Sequence, residues 1–251
     1  MRVLILLFFI SCIHATQGQT PNHILENYRL HWNDEFEGVS IDTLKWKYRD
    51  TGKLRKKGVV FEENCFVDGK GHLIIGVTKV DSTYRIGQIG SQNTFQTKYG
   101  YFECRAKMNQ QLGPHIAFWL QSPTIHQEHD NPGDFGTEID VFEYHIAEGL
   151  DYVYHNLHWN GYKKKHKSTG TRVLVDDVHN GFHTFALEWT EQEYIFYVDG
   201  IETWRTKEAV SHIAEYMILS AELTGWGGDC EKADFPDQVI FDYVRVYKKS
   251  K

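Results

Sequence analysis

Long hydrophobic runs are nearly absent from this chain of 251 residues. The one continuous apolar stretch, Val3 to Ile10, follows Arg2 and gives way to small and polar residues from Ser11. That is the pattern of a secretory leader, and it is too short to cross a bilayer as a helix. We expect residues 1–18 to be a signal peptide, cut after Ala15 or Gly18, and the protein to be secreted or periplasmic. Lipid anchoring through Cys12, in Phe9-Ile10-Ser11-Cys12, is the alternative. Nothing later in the chain is apolar enough to span a membrane. Cysteine is scarce. Of four, Cys65, Cys104 and Cys230 lie beyond the leader, an odd set without metal-ligand spacing. This excludes a disulfide framework and a thiolate zinc site, and leaves room for one disulfide or for three free thiols. A surplus of positive charge is missing too. The formal net charge is −7, and −8 once Arg2 is lost, which excludes general nucleic-acid binding. Internal repeats, linkers and low-complexity segments are absent, so residues 19–251 read as one domain of a size common among all-β folds, expected to act as a monomer.

What the chain does have is aromatic residues, 14% of the total with seven Trp, enough for a large core or a sugar-stacking surface. It also has short alternating runs. Phe185, Leu187 and Trp189 share one face of His183–Thr190; Tyr194–Val198 and Ile201–Arg205 flank Asp199-Gly200, a hairpin signal. Val239–Tyr247 alternates in the same way. Further candidate strands are Val59–Val67, His72–Val80, Gly100–Lys107, Ile116–Leu120, Glu138–Tyr144 and Asp151–Trp159, and Lys207–Tyr216 could hold one short helix. Short strands with little helical periodicity predict an all-β sandwich of two antiparallel sheets. If the sheets curve, one presents a concave cleft suited to a polymer.

The segment Gly136-Thr137-Glu138-Ile139-Asp140-Val141-Phe142-Glu143-Tyr144 carries the chemistry. On a regular strand Glu138 and Asp140 share a face, and Glu143 points into the core, where a lone carboxylate is costly. A β-bulge near Val141-Phe142 shifts the alternation by one and returns Glu143 to the face of Glu138. Three acids on one face repel, so at least one should hold its proton at neutral pH. That is what a retaining glycosidase needs: one ionised carboxylate as nucleophile and one protonated acid, about 5 Å apart. Asp140, between them, is expected to hydrogen-bond Glu138. The competing readings are an acidic solvent face and a calcium site. Like charges stacked on a sheet are destabilising without a use, and the Asn and Gly of a calcium loop are lacking.

The segment resembles the E-[I/V]-D-x-x-E signature of glycoside hydrolase family 16, in the bulged spacing of its laminarinase-like and agarase-like branches. The resemblance covers nearly the whole mature chain, through Trp32-Asn33-Asp34-Glu35-Phe36, Leu44-Lys45-Trp46-Lys47, Asp68–Leu73, Tyr99–Ala106, Ala117-Phe118-Trp119-Leu120, His183–Trp189, Phe196–Gly200 and Asp242–Tyr247. It implies a concanavalin-like β-jelly-roll, with Glu138 as nucleophile, Asp140 as its partner and Glu143 as acid/base. It also implies Trp119 near the cleaved bond, no cofactor for catalysis, and a structural calcium ion at Asp242. One departure stands out. His115 and Ile116 occupy the places where laminarinase-like members carry Trp-Pro, so a sugar platform is missing and transfer of laminarin specificity is weakened.

His155 and His158 are three apart on a strand and face opposite sides, so they are not a metal pair; His158 is the candidate substrate contact and His155 a sheet histidine. Trp226, in the glycine-rich Thr224–Gly228, is a candidate sugar platform on a loop. Trp189 and Trp204 read as core. Lys163-Lys164-Lys165-His166-Lys167 is either a solvated loop or a contact for an anionic polysaccharide. Together these features predict a retaining endo-glycosidase with a polysaccharide partner, most simply a β-1,3-containing glucan, with a β-galactan or host glycan as second substrate class. A lectin-like binding module on the same fold and a transglycosylase are the other readings.

Overall fold

The computed structural model describes residues 20–250; the expected leader and Cys12 lie outside them. The strands are β1 (Tyr28–Asp34), β2 (Lys47–Tyr48), β3 (Leu54–Arg55), β4 (Gly58–Val60), β5 (Cys65–Val67), β6 (Leu73–Val80), β7 (Thr83–Gly90), β8 (Gly100–Lys107), β9 (Gly113–Gln121), β10 (Glu138–Tyr144), β11 (Tyr152–Trp159), β12 (Lys167–Leu174), β13 (His183–Trp189), β14 (Tyr194–Val198), β15 (Ile201–Thr206), β16 (Tyr216–Gly227) and β17 (Asp237–Lys249). Two antiparallel sheets pack face to face. The first runs β15-β14-β13-β8-β17, with β1 and β6 both pairing the far edge of β17 and β5 outside β6. The second runs β12-β11-β10-β9-β16-β7-β2. The hairpin β6–β7 passes from one sheet to the other and ties them together.

Period-two alternation decides which face each strand buries. On β9, Ile116, Phe118 and Leu120 enter the inter-sheet core; on β16, Met217, Leu219, Ala221 and Leu223 do the same. They meet Phe185, Leu187 and Trp189 of β13 and Phe102 and Cys104 of β8. Phe142 of β10 closes the contact across the layers, 4.2 Å from the ring of Phe185. Each such ring contributes about 2–3 kcal/mol of apolar burial. The other half of the alternation, Ala117, Trp119 and Gln121 on β9 and Ser220 and Glu222 on β16, lines an open cleft on the outer face of the second sheet.

The Asp199-Gly200 turn takes positive φ at both residues, 51° and 76°, which suits the twist of the flanking strands. Three local expectations are corrected. Val59–Val67 is broken by a 3-10 turn at Glu62–Asn64 into β4 and β5. Lys207–Tyr216 forms no helix. Its backbone is satisfied by other elements instead: the Trp189 indole donates to Ser211 O, His212 N to Gly133 O, and the Thr137 hydroxyl to Ala209 O. A helix lies at Asn22–Asn27, where none was expected, burying Ile24 against Tyr28 and Tyr101. Cys65, Cys104 and Cys230 are buried free thiols. No helix of the described residues is long and apolar enough to cross a membrane.

Candidate active site

The bulge is present where the acids require it. Asp140 pairs with Trp119 and Phe142 with Phe118, so Val141 is extra on the β9 side; on the β11 side the register slips between Asp140 and Glu143. Val141 and Phe142 both enter the core, and Glu138, Asp140 and Glu143 all line the cleft, a cavity of about 320 Å3. His155 holds the irregularity from the neighbouring strand. Its Nδ1 lies 2.7 Å from Val141 O, which can only accept, so Nδ1 carries the proton and Nε2 faces the Thr203 hydroxyl at 2.9 Å. Burial drives its pKa down to about 4, so it stays neutral. His155 is thus the sheet histidine and His158 the cleft one, as their spacing predicts.

The three acids differ sharply in environment. Glu143 is held below its usual range: burial works against this, but His115 Nε2 lies 2.8 Å from Oε1 and the Asn156 amide donates to Oε2. The His115 contact is ionic, off the line of a good hydrogen bond. Burial, with the charge of Glu143 second, pushes the pKa of Asp140 well above its normal value. Burial also raises Glu138, against the lowering effects of His158 and of a hydrogen bond from Tyr162. His158 Nε2 sits 3.4 Å from Asp140 Oδ2. Burial alone would lower the His158 pKa, but Asp140 and Glu138 raise it to about 9, and its Nδ1 lies 2.9 Å from His166 Nε2. Asp140 therefore partners His158, not Glu138 as expected. His158 stands on the adjacent strand β11, two residues from Asn156, the register partner of Asp140. Glu138, Asp140 and His158 place ligand atoms within 4.8 Å of one another, close enough to hold a divalent cation between two of the three cleft acids.

Trp119 lies on the cleft floor, its indole donating to Ser220 Oγ at 3.2 Å with the Arg49 guanidinium 5.4 Å from its ring centroid. Trp226 is not on a loop. It stands at the end of β16, where residues 223–226 face only Pro114 in the register. That bulge sets the half-exposed indole against His115, His145 and Tyr154 at 4.8–5.0 Å, at the Glu143 end of the cleft. Lys163, Lys164 and Lys165 are solvent-exposed, while His166 stacks on His158. Asp242 has the wrong neighbours for calcium. Its Oδ2 accepts from Arg105 Nη1 at 2.6 Å and its Oδ1 faces His72 Nε2 at 3.9 Å. A carboxylate already neutralised by a guanidinium and flanked by an imidazole does not fit a hard cation that needs several oxygens.

Sequence reasoning did not find Gln121, Tyr162, Arg49, Asn156 or Glu215. All but Tyr162 lie in segments whose chemistry is ordinary in isolation. Asn156 could have been found from alternation, because it shares the face of His158. Gly170 of β12 lies against it: a Cβ there would sit 1.9 Å from Asn156 Oδ1 and 2.6 Å from His155 O. Gly170→Ala is expected to push Asn156 off Glu143, costing about 1–3 kcal/mol of stability and a larger share of activity than of folded protein. Turnover per folded molecule, set against the unfolding temperature, checks it.

Glu215 lies beneath the start of β10, 1% exposed, its Oε1 accepting from the Thr137 amide at 3.0 Å. Burial raises its pKa from 4.5 to about 8. A carboxyl kept neutral in the fold favours folding fully below its ordinary pKa, and that contribution fades as pH rises through about 8. Glu215→Gln cannot ionise. Between these limits the wild type should lose stability relative to this variant, by on the order of a few kcal/mol at the upper end. Unfolding temperatures of both proteins over that pH range test it; parallel curves would show that Glu215 titrates normally.

Residues 53–245 match the profile described as Glycosyl hydrolases family 16. The chain is 27% identical over 244 residues to a keratan-sulfate endo-1,4-beta-galactosidase of Sphingobacterium multivorum, covering 88% of this chain and 56% of that protein's length. It is 27% identical over 248 residues to a beta-glucanase of Rhodothermus marinus, covering 88% of this chain and 86% of the relative. Its fold superposes on the laminarinase catalytic domain from Thermotoga maritima with a TM-score of 0.76 at 25% identity, over 90% of this chain and 100% of that one.

Proposed function

The chain belongs to the glycosyl hydrolases family 16, and from that membership we propose that it is an endo-acting glycosidase that cleaves a β-linked polysaccharide with net retention. Glu138 is the nucleophile and Glu143 the acid/base. The observation that carries this reading is the bulge, which turns both acids of one strand into the same cleft. Ionised Glu138 attacks the anomeric carbon while Glu143 protonates the leaving oxygen; Glu143 then takes a proton from the water that releases the sugar. The proton for the first step belongs to the His115–Glu143 pair. Burial lowers the His115 pKa but Glu143 raises it on balance, so the imidazole, 2.8 Å from that carboxylate, keeps a proton beside the acid. Asp140, its pKa raised by burial, stands between the two acids, with His158 Nε2 3.4 Å from its Oδ2. Trp119 forms the sugar-facing floor and Trp226 a platform beyond Glu143. Residues 1–18 direct export.

The substrate on this reading is a β-1,3-containing glucan, as for the laminarinase whose fold it shares. His115 favours a second class, a β-galactan, because it puts an imidazole where the family resemblance implies an indole for laminarinase-like members, and one relative is named for acting on keratan sulfate. Reducing-end release from laminarin, mixed-linkage glucan, agarose, porphyran, carrageenan and a mucin-type glycan decides between them. Proton NMR of the fresh product should show the β-anomer first. An α-anomer would end the retaining reading, and no release from any substrate would favour a binding module.

A further inference from the structure

The residue that donates to the Glu138 carboxylate from across the cleft is Tyr162, on the turn between β11 and β12. Tyr162 is 42% exposed, and its ring lies 5.4 Å from that of His126 and 6.2 Å from that of His166. A core role would bury the ring; here it is the hydroxyl that is directed inward, into a directional chain of hydrogen bonds. Gln121, 2% exposed, is its centre. Arg49 Nη2 lies 3.0 Å from one end of the Gln121 amide, and because a guanidinium only donates, that end is the oxygen. Tyr216 donates to the same oxygen. The amide nitrogen then donates to Tyr162 Oη at 2.7 Å and to Glu138 Oε2 at 3.2 Å. Having accepted from Gln121, the Tyr162 hydroxyl donates its own proton to Glu138 Oε2. Both protein donors thus converge on one oxygen, and among the described residues none engages Oε1.

We infer that Tyr162 is a catalytic hydrogen-bond donor to the nucleophile, which with Gln121 engages Oε2 and so assigns Oε1 as the atom that bonds the anomeric carbon. The inference rests on Glu138 being the nucleophile. In the first step the Oε1–C1 bond forms, the bond to the leaving oxygen breaks, and that oxygen takes the proton of Glu143. Oε2 becomes the carbonyl oxygen of the glycosyl ester and keeps its bond from Tyr162. In the second step water attacks C1, its proton goes to Glu143, and the C1–Oε1 bond breaks. Negative charge then returns to the carboxylate, where a fixed donor strengthens most. The phenol keeps its proton throughout, because burial and the adjacent Glu138 push its pKa far above normal. Arg49 acts through Gln121, polarising the amide, and is a positioning residue.

Tyr162→Phe keeps the ring against His126 and removes only the hydroxyl. Loss of a hydrogen bond to a charged group should lower kcat at least about tenfold and raise the Glu138 pKa, moving the acid limb of kcat/KM up by about one pH unit. Unfolding temperature at neutral pH should fall by only about 2–4 °C, the equivalent of one pKa unit. A substrate-free readout accompanies it: the 13C titration of the Glu138 carboxyl, assigned as the signal missing from Glu138→Gln, should shift upward in Tyr162→Phe. An unchanged acid limb and an unchanged titration midpoint would overturn the inference while Glu138→Gln stays inactive and the nucleophile stands. Continued hydrolysis by Glu138→Gln would overturn the nucleophile and this inference together.

Discussion

Glu138→Gln should reduce polysaccharide cleavage by at least about 10⁴-fold while leaving the fold intact. The amide cannot form the ester through which retention proceeds, and the remaining acid and binding contacts supply only a residue of the rate. Stability should hold or rise slightly. Burial and the Glu143 charge both raise the Glu138 pKa, so the folded protein keeps this carboxylate ionised at a cost that the amide removes. Reducing-end release and thermal unfolding of the purified variant are the two measurements. A variant that unfolds normally and still cleaves would end the assignment. Glu138→Ala offered azide adds a stereochemical check: with the nucleophile gone, azide occupies its place and attacks once, giving a product of inverted, α configuration.

Glu143→Ala should behave differently, and the difference separates the two carboxylates. Without an acid, cleavage of an ordinary glycosidic bond should fall about 10²- to 10⁴-fold. An aryl glycoside with a good leaving group needs no proton, so its first step should survive and the glycosyl-enzyme should accumulate. Azide then attacks that intermediate and gives the β-glycosyl azide. An α product would mean that the roles are exchanged. The same variant leaves His115 without its counter-charge. Its pKa, now raised by Glu143, should fall toward the value set by burial, which a histidine titration by NMR would register. This second readout tests the ion pair even if no polysaccharide has yet been found to react.

The order of acidity in the cleft adds a reason to test both. Glu143 is the most acidic of the three in this arrangement and Asp140 the least, although the reaction needs Glu143 protonated. On the proposed roles, His115, 2.8 Å from Glu143, keeps a proton next to the acid that would deliver it. At the place where the family resemblance implies a tryptophan, this chain puts an imidazole 2.8 Å from the proposed acid/base.

Local pattern determined a good deal on its own. Alternation along Phe185-Leu187-Trp189 and the Asp199-Gly200 turn marked sheet elements, because side-chain direction and φ preferences are properties of a residue and its immediate neighbours. The acid triplet demanded a bulge, because a carboxylate left unpaired in an apolar core is costly in any fold. Only the tertiary structure decided which partner each acid would meet. Asp140 went to His158, Glu143 to His115 and Asn156, and Glu138 to Tyr162 and Gln121, and each of these contacts is made across strands or from a turn. The Asp242 carboxylate went to Arg105, 137 residues away in sequence. Trp226 left its expected loop because a register slip against β9 carried it over His115. Pairwise electrostatics and hydrogen bonding fall off within a few ångströms, so they obey distance in space. Sequence separation carries that distance only within a strand or a turn, which is why this chain announces its reacting carboxylates and conceals the groups that set their protons.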